Sequence, residues 1–167
     1  MTALQPEITR LQNAAANLMA LRDEVEARAP WPLADAWGVE PEASWGPPEL
    51  LAHAEEYLRY WMGEIERVLA GDGTAPVPFG RIATDTIRLA VIGRDRSLPL
   101  RELFARIEAD AARVAGRLGE LGEDEAAARG LHPTRGEMTV REMLEPFLVG
   151  HMEGHVVQLR EILAGAG

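Results

Sequence analysis

Apolar residues return at spacings of three and four along four long stretches of the chain, whereas no stretch alternates with a period of two for long enough to suggest a sheet. The pattern predicts an all-α protein. The first stretch, about Pro6 to Arg28, carries Leu4, Ile8, Leu11, Ala15, Leu18 and Val25 on one stripe and stops ahead of Pro30. A connection rich in proline, tryptophan and glycine follows from Ala29 to Gly46. The second helix is expected to start at Pro47 or Pro48, where proline's missing N–H costs no hydrogen bond. Its stripe is Leu50, Ala54, Leu58, Trp61, Ile65 and Val68, and Gly71-Asp72-Gly73 ends it.

Residues 71 to 97 read as a long connection containing Pro76 and Pro78, with room for a short helix around Ala83 to Ile92. A third helix beginning near Pro99 carries Leu100, Phe104, Ile107, Ala111, Val114, Leu118 and Leu121, a near-heptad series suited to a helix-bundle seam. From there a loop rich in glycine and glutamate runs to Met138. Thr139-Val140-Arg141-Glu142 is a capping box, so the fourth helix starts here and continues to about Leu163. Within it, Pro146 removes the hydrogen bond to the Glu142 carbonyl, and a bend is expected one turn before His151.

Composition narrows the chemistry more than the fold. A chain of 167 residues with 47% hydrophobic content suits one domain over residues 1–167. No run approaches the roughly 18 apolar residues of a membrane span. The start, MTALQPEITR, has neither a basic nor an apolar targeting region. A soluble, cytoplasmic protein with no membrane partner is expected. The net charge of −10 opposes a phosphate backbone, and arginines do not cluster with aromatics, so nucleic acid is not an expected partner. Cysteine is absent, which excludes disulfides, thiolate ligands and a cysteine nucleophile; any metal must sit on His, Asp or Glu. All 17 basic residues are arginine, which excludes a Schiff-base lysine and fits a GC-rich genome. Neither serine, Ser44 or Ser97, lies in a nucleophile elbow, and no Gly-rich phosphate loop is present.

Histidine carries the remaining chemistry. On a wheel of about 100° per residue, the stripe of Leu144, Phe147, Leu148, Leu159 and Ile162 is centred within roughly 30° of both His151 and His155. Two imidazoles one turn apart in an apolar seam are satisfied together by a shared metal, and the i, i+4 spacing puts both ligand nitrogens on one side of the helix. His132, in Leu131-His132-Pro133, has no partner at helical spacing and reads as a hydrogen-bonded loop histidine. His53 lies about 120° from the centre of its stripe, on the flank of helix two. If helices two and four are antiparallel, however, His53 and His155 lie roughly 9 and 12 Å below the same end, within reach of one another.

In combination these features resemble the DinB/YfiT-like family. The early histidine stands in Ser44-Trp45-Gly46-Pro47-Pro48-Glu49-Leu50-Leu51-Ala52-His53, and the capped closing helix holds His151-Met152-Glu153-Gly154-His155. The likeness covers most of the chain. Its specificity lies in the combination, since HxxxH alone is a weak motif. It implies a four-helix bundle running up-down-down-up, with residues 71 to 97 as the crossover between helices two and three. It also implies that His53, His151 and His155 ligate one divalent cation, zinc, nickel or iron, and that the chain is related to enzymes using bacillithiol or mycothiol as co-substrate. No further residue maps onto the family as catalytic.

Three neutral imidazoles leave the ion's charge at +2 and positions open for a water or a thiol, whose pKa falls on binding. One reading is an S-transferase or thiol-dependent isomerase acting on a small electrophile with a low-molecular-weight thiol; the GC-rich composition favours mycothiol or bacillithiol over glutathione. A second is a hydrolase, for which Glu56, Glu64 and Glu153 are the helix-borne carboxylates near the ligands, Glu153 pointing off their face. A third is a metal-stabilised bundle that senses a ligand or forms a homodimer, with Gly150 and Gly154 admitting a neighbouring helix from within the chain or across a dimer. Trp31, Trp37 and Trp45 lead into helix two and either line the pocket mouth or cover the end of the core.

Overall fold

The first apolar stripe folds as two helices, α1 (Gln5–Met19) and α2 (Arg22–Ala27), in the computed structural model, which describes residues 2–35 and 41–165. Sequence periodicity predicted one helix here. It could not register the break because Ala20 and Leu21, between the two, keep right-handed helical dihedrals. The stripe therefore stays in phase, and Leu4, Ile8, Leu11, Leu18 and Val25 are all buried.

A 3₁₀ turn (Pro41–Ser44) leads to the longest helix, α3 (Pro47–Leu69), which starts at the predicted prolines. Every residue from Pro47 to Leu58 is buried, so the first half of α3 has no solvent face. Fully buried Glu49 shows how this is arranged: Oε1 accepts the N–H of Ala34 at 2.5 Å and an N–H of Arg96 at 3.1 Å, tying two connections onto the first turn. The helix α4 (Thr86–Asp95) packs against α3; it starts three residues later than expected, where the Asp85 carboxylate accepts the N–H of Arg88 at 2.8 Å. Helix α5 (Leu100–Gly119) follows as predicted.

The loop expected to run to Met138 needs a correction. A small sheet is present, with β1 (Val77–Pro78) parallel to β2 (Arg129–His132) and β2 antiparallel to β3 (Gly136–Thr139), and a short helix α6 (Glu123–Ala126) precedes it. The strands are two to four residues long, too short for a period-two signal. The molecule is nonetheless mostly helical.

The capping box forms as predicted: Thr139 Oγ1 accepts the Glu142 N–H at 3.2 Å, and Glu142 Oε2 accepts the Thr139 N–H at 2.8 Å. It opens α7 (Val140–Leu144), which passes through a π-helical turn (Glu145–Val149) into α8 (Gly150–Gly165). Pro146 sits in this turn, and the Gly150 N–H reaches back to the Glu145 carbonyl.

Ion pairs fix how the long helices run. Glu55 with Arg106, Arg59 with Asp110 and Glu66 with Arg117 all pair at a separation of 51 residues, so α3 and α5 are parallel. On the closing helix the order reverses: His53 meets His151 while Trp61, two turns on, stacks on Phe147 at 3.9 Å, so α3 and α8 are antiparallel. Glu7 pairs with Arg141, and Arg10 with Glu145 and Glu153, which sets α1 parallel to α7 and α8. Among the described residues, no helix is long and apolar enough to cross a membrane.

Neither Gly150 nor Gly154 seats a neighbouring helix from within the chain. A Cβ on Gly154 would meet nothing within 4 Å, whereas one on Gly150 would come within 2.8 Å of the Glu145 carbonyl in the π turn. The two substitutions should have opposite signs. Gly150→Ala should destabilise by about 1–3 kcal/mol through overpacking, and Gly154→Ala should stabilise by about 0.5–1 kcal/mol through helix propensity. Chemical denaturation of both variants checks this, and a neutral Gly150→Ala would mean that the turn does not need its glycine.

Candidate metal centre

The π turn delivers α8 with His151 and His155 facing α3, and the all-round burial of α3 places His53 opposite them. His53 and His155 are buried and His151 is half-buried. The flank position read for His53 from the wheel is corrected by α4 and the connections, which turn a flank into core. His53 Nε2 lies 3.0 Å from His151 Nε2, and the ring centroids are 4.6 to 5.0 Å apart across the three pairs. One ring nitrogen from each histidine lies within 4.8 Å of the other two, close enough to hold a metal ion. Imidazoles bound at the usual 2.0–2.1 Å around a tetrahedral ion stand about 3.3 Å apart, so small side-chain shifts suffice.

Hydrogen bonds fix which nitrogens are free. Gln158 Oε1, an acceptor, lies 3.2 Å from His155 Nδ1, so that nitrogen carries the proton and Nε2 holds the lone pair, buried with no hydrogen-bond partner among the described residues. An Arg88 Nη2, which can only donate, lies 3.4 Å from His53 Nε2 and assigns the lone pair there; the His53 Nδ1 proton then faces Glu56 Oε2 at 3.8 Å. The His151 ring interacts with the backbone of Pro146. Gln158 thus orients His155 and the Pro146 backbone orients His151, as outer partners of metal-binding histidines generally do, whereas His53 Nδ1 has no hydrogen-bond partner among the described residues.

Burial lowers all three histidine pKa values. Repulsion from neighbouring histidines adds to this at His53 and His151, and Arg88 pushes in the same direction at every ring. His151 is pushed down to about 3 and His53 well below its ordinary range. All three rings are neutral at pH 7, the protonation state that a metal ligand requires. Below them Tyr57 stacks on His151 at 4.4 Å, fully buried, its hydroxyl without a partner and its pKa raised well above the ordinary value by burial. Trp45 packs edge-on against His53 at 5.4 Å.

Two clefts reach the trio. One of about 280 Å³ is lined by His53 and His151 together with Glu42, Arg81, Arg88 and Arg135. The other, about 460 Å³, opens past Gly150 and Gly154 to His151 and His155. A larger cavity of about 520 Å³ lies between Trp31, Pro48 and the start of α5, and none of the three histidines lines it. Trp31 therefore belongs to a separate cavity, Trp45 packs on the site, and Trp37 lies outside the described residues.

The carboxylates sort differently from expectation. Glu153 pairs with Arg10 at 2.6 Å on the exterior, matching its off-face position. Glu64 accepts the Gly80 N–H at 2.6 Å and pairs with Arg67, a structural role. Glu56 stays near His53 but is held by Arg81 at 2.5 Å. Glu42, which sequence reasoning missed, places Oε1 3.5 Å from His53 Nε2 and pairs with Arg88. It sits on the 3₁₀ turn before α3, where helical periodicity gives no signal. His132 keeps the hydrogen-bonded role expected of it, Nδ1 facing the backbone N–H groups of Thr134 and Arg135 at 3.2 and 3.3 Å, although it ends a half-exposed strand rather than lying in a loop.

Comparison with protein-family models, with curated proteins and with solved structures finds no match for this chain.

Neutral burial of these rings couples stability to pH. In the unfolded chain histidine titrates near pH 6.5, while folded His151 stays neutral down to about 3, so between these values the unfolded state binds more protons. The stability of the metal-free protein should be full above about pH 6.5 and fall as pH drops through that window. Thermal melts in chelator should show this decline, with a shallower slope for His151→Gln; an unchanged slope would mean that His151 is not held neutral.

Proposed function

We propose that His53, His151 and His155 bind one divalent cation, zinc, nickel or iron, inside an up-down-down-up four-helix bundle of the DinB/YfiT-like kind. We infer further that the protein is a thiol-dependent S-transferase acting on a small electrophile. The observation that carries the reading is the convergence of three neutral imidazoles, with the His155 Nε2 lone pair buried and unsatisfied. The pairwise directions of α1, α3, α5 and α8 support the bundle topology.

The donor set fits a divalent ion: three nitrogen ligands, no thiolate, and open clefts on two sides. When bound, the ion lowers the pKa of a thiol or water brought to it. The chain's own residues do the rest. Gln158 holds the ring of His155 in its lone-pair-inward tautomer, Glu56 lies 3.8 Å from His53 Nδ1, and Tyr57 and Trp45 pack against the rings. Glu42 Oε1 is the carboxylate placed to take the proton of an incoming thiol. The same placement suits a water, which keeps hydrolysis as the second reading.

Elemental analysis of the purified protein should find one divalent ion per chain, lost in His151→Ala/His155→Ala. Gln158→Ala should weaken metal affinity by about 10- to 100-fold, measured by chelator competition, without unfolding the chain. Monochlorobimane conjugation with mycothiol, bacillithiol or glutathione should run faster with the metal-loaded than the metal-free protein. No acceleration with any thiol would reject S-transfer, and ester or amide hydrolysis without added thiol would move the assignment to the second reading.

A further inference from the structure

Three arginines line the cleft that leads to His53 and His151, and their charges are not equally compensated. Arg88 is buried and pairs with Glu42, also donating to the Ala83 carbonyl at 2.8 Å. Arg81 pairs with Glu56 and lies 3.6 Å over the Tyr60 ring. Arg135, on the turn between β2 and β3, lies 5.4 Å over Phe147, and its guanidinium makes no ion pair among the described residues. It lines both clefts beside His151. Three neutral histidines offset none of an ion's charge, so the loaded site carries a free guanidinium on top of the ion's own two charges, in a chain whose net charge is −10. Positive charge concentrated in one cleft of an acidic protein marks the class of molecule that enters it.

We propose that this site selects small carboxylate-bearing molecules, the carboxylate paired with Arg135 and the opposite, reacting end at the three-histidine centre. The proposal rests on metal binding by the trio, as argued above. Arg135 suits the role because its planar fork matches a carboxylate in two hydrogen bonds and no internal acid must be displaced first. Arg81 and Arg88, already engaged by glutamates, set the cleft wall.

Two ligands that differ only in a distant carboxylate test it: propionohydroxamate and succinate monohydroxamate, titrated calorimetrically into the metal-loaded protein. The carboxylated ligand should bind about tenfold more tightly. Arg135→Gln should bring the two affinities together by weakening that ligand alone, and Arg135→Lys should keep part of the preference. Equal affinities in the wild type, or a preference that survives Arg135→Gln, would overturn the proposal while hydroxamate binding itself upholds the metal centre. Failure of both hydroxamates to bind protein that has taken up metal would reject an open metal site and this inference with it. The carboxylate belongs either to the electrophile or to the thiol, and 3-mercaptopropionate against 2-mercaptoethanol separates the sources. An Arg135-dependent preference among the thiols assigns it to the thiol, and a preference confined to the hydroxamates assigns it to the electrophile.

Discussion

An imidazole taken out of water keeps one nitrogen that must donate and one that must accept, and each left unpaired costs about 1–3 kcal/mol. This chain places three such rings within 5.0 Å of one another, centroid to centroid, and lowers the pKa of every one. Protonation cannot relieve the lone pairs, because burial, neighbouring rings and Arg88 all oppose charge there. Apolar neighbours cannot relieve them either. A cation shared by the three rings would satisfy the nitrogens turned toward it, and the helices around the site bring one nitrogen of each ring close enough to hold such an ion.

Two departures from regular structure make that convergence possible. The π turn around Pro146 adds a residue to one turn and so changes the angular phase between the α7 stripe and His151 and His155. Gly150 is the residue that tolerates the resulting closeness of the Glu145 carbonyl. On the other side, α3 is covered from Pro47 to Leu58 by α4, α5, α8 and the connection pinned to Glu49. Without that cover His53 would face water and offer its nitrogens to solvent. The site thus depends on features distributed across the chain, including the short sheet that carries Arg135 to the cleft mouth.

What the amino-acid order reveals follows from which of these effects is local. The four long stripes, the prolines opening α3 and the capping box at Thr139 are set by residues within one or two turns of each other, and they were legible. So was the inward face of His151 and His155, because their stripe comes from residues near in sequence, although the π turn within it left no periodic signal. The burial of His53 was not, since a helical wheel assumes one wet face and α3 has none in its first half. Glu42 was invisible for a different reason: it lies on a 3₁₀ turn and reaches the site through tertiary folding alone. The three strands escaped because segments of two to four residues are too short to leave a period-two trace, whether the partner lies far along the chain, as Val77 does from Gly130, or close by, as His132 does from Gly136.

A fold selected for stability alone would not keep this arrangement. Besides the His155 lone pair, the Tyr57 hydroxyl is fully buried beside His151 with no hydrogen-bond partner among the described residues, where phenylalanine would fill the same space without an orphaned group. Orphaned polar groups elsewhere in the chain are single side chains. Here they gather around one point, open to two clefts, with a carboxylate and an uncompensated arginine at the rim. Such local violations of good packing concentrate where a protein handles a ligand. A cation held by the three nitrogens would leave the tyrosine hydroxyl unpaired, and that hydroxyl lies buried beside His151. The three rings are therefore backed by Tyr57 on one side and reached through two clefts, both lined by Arg135.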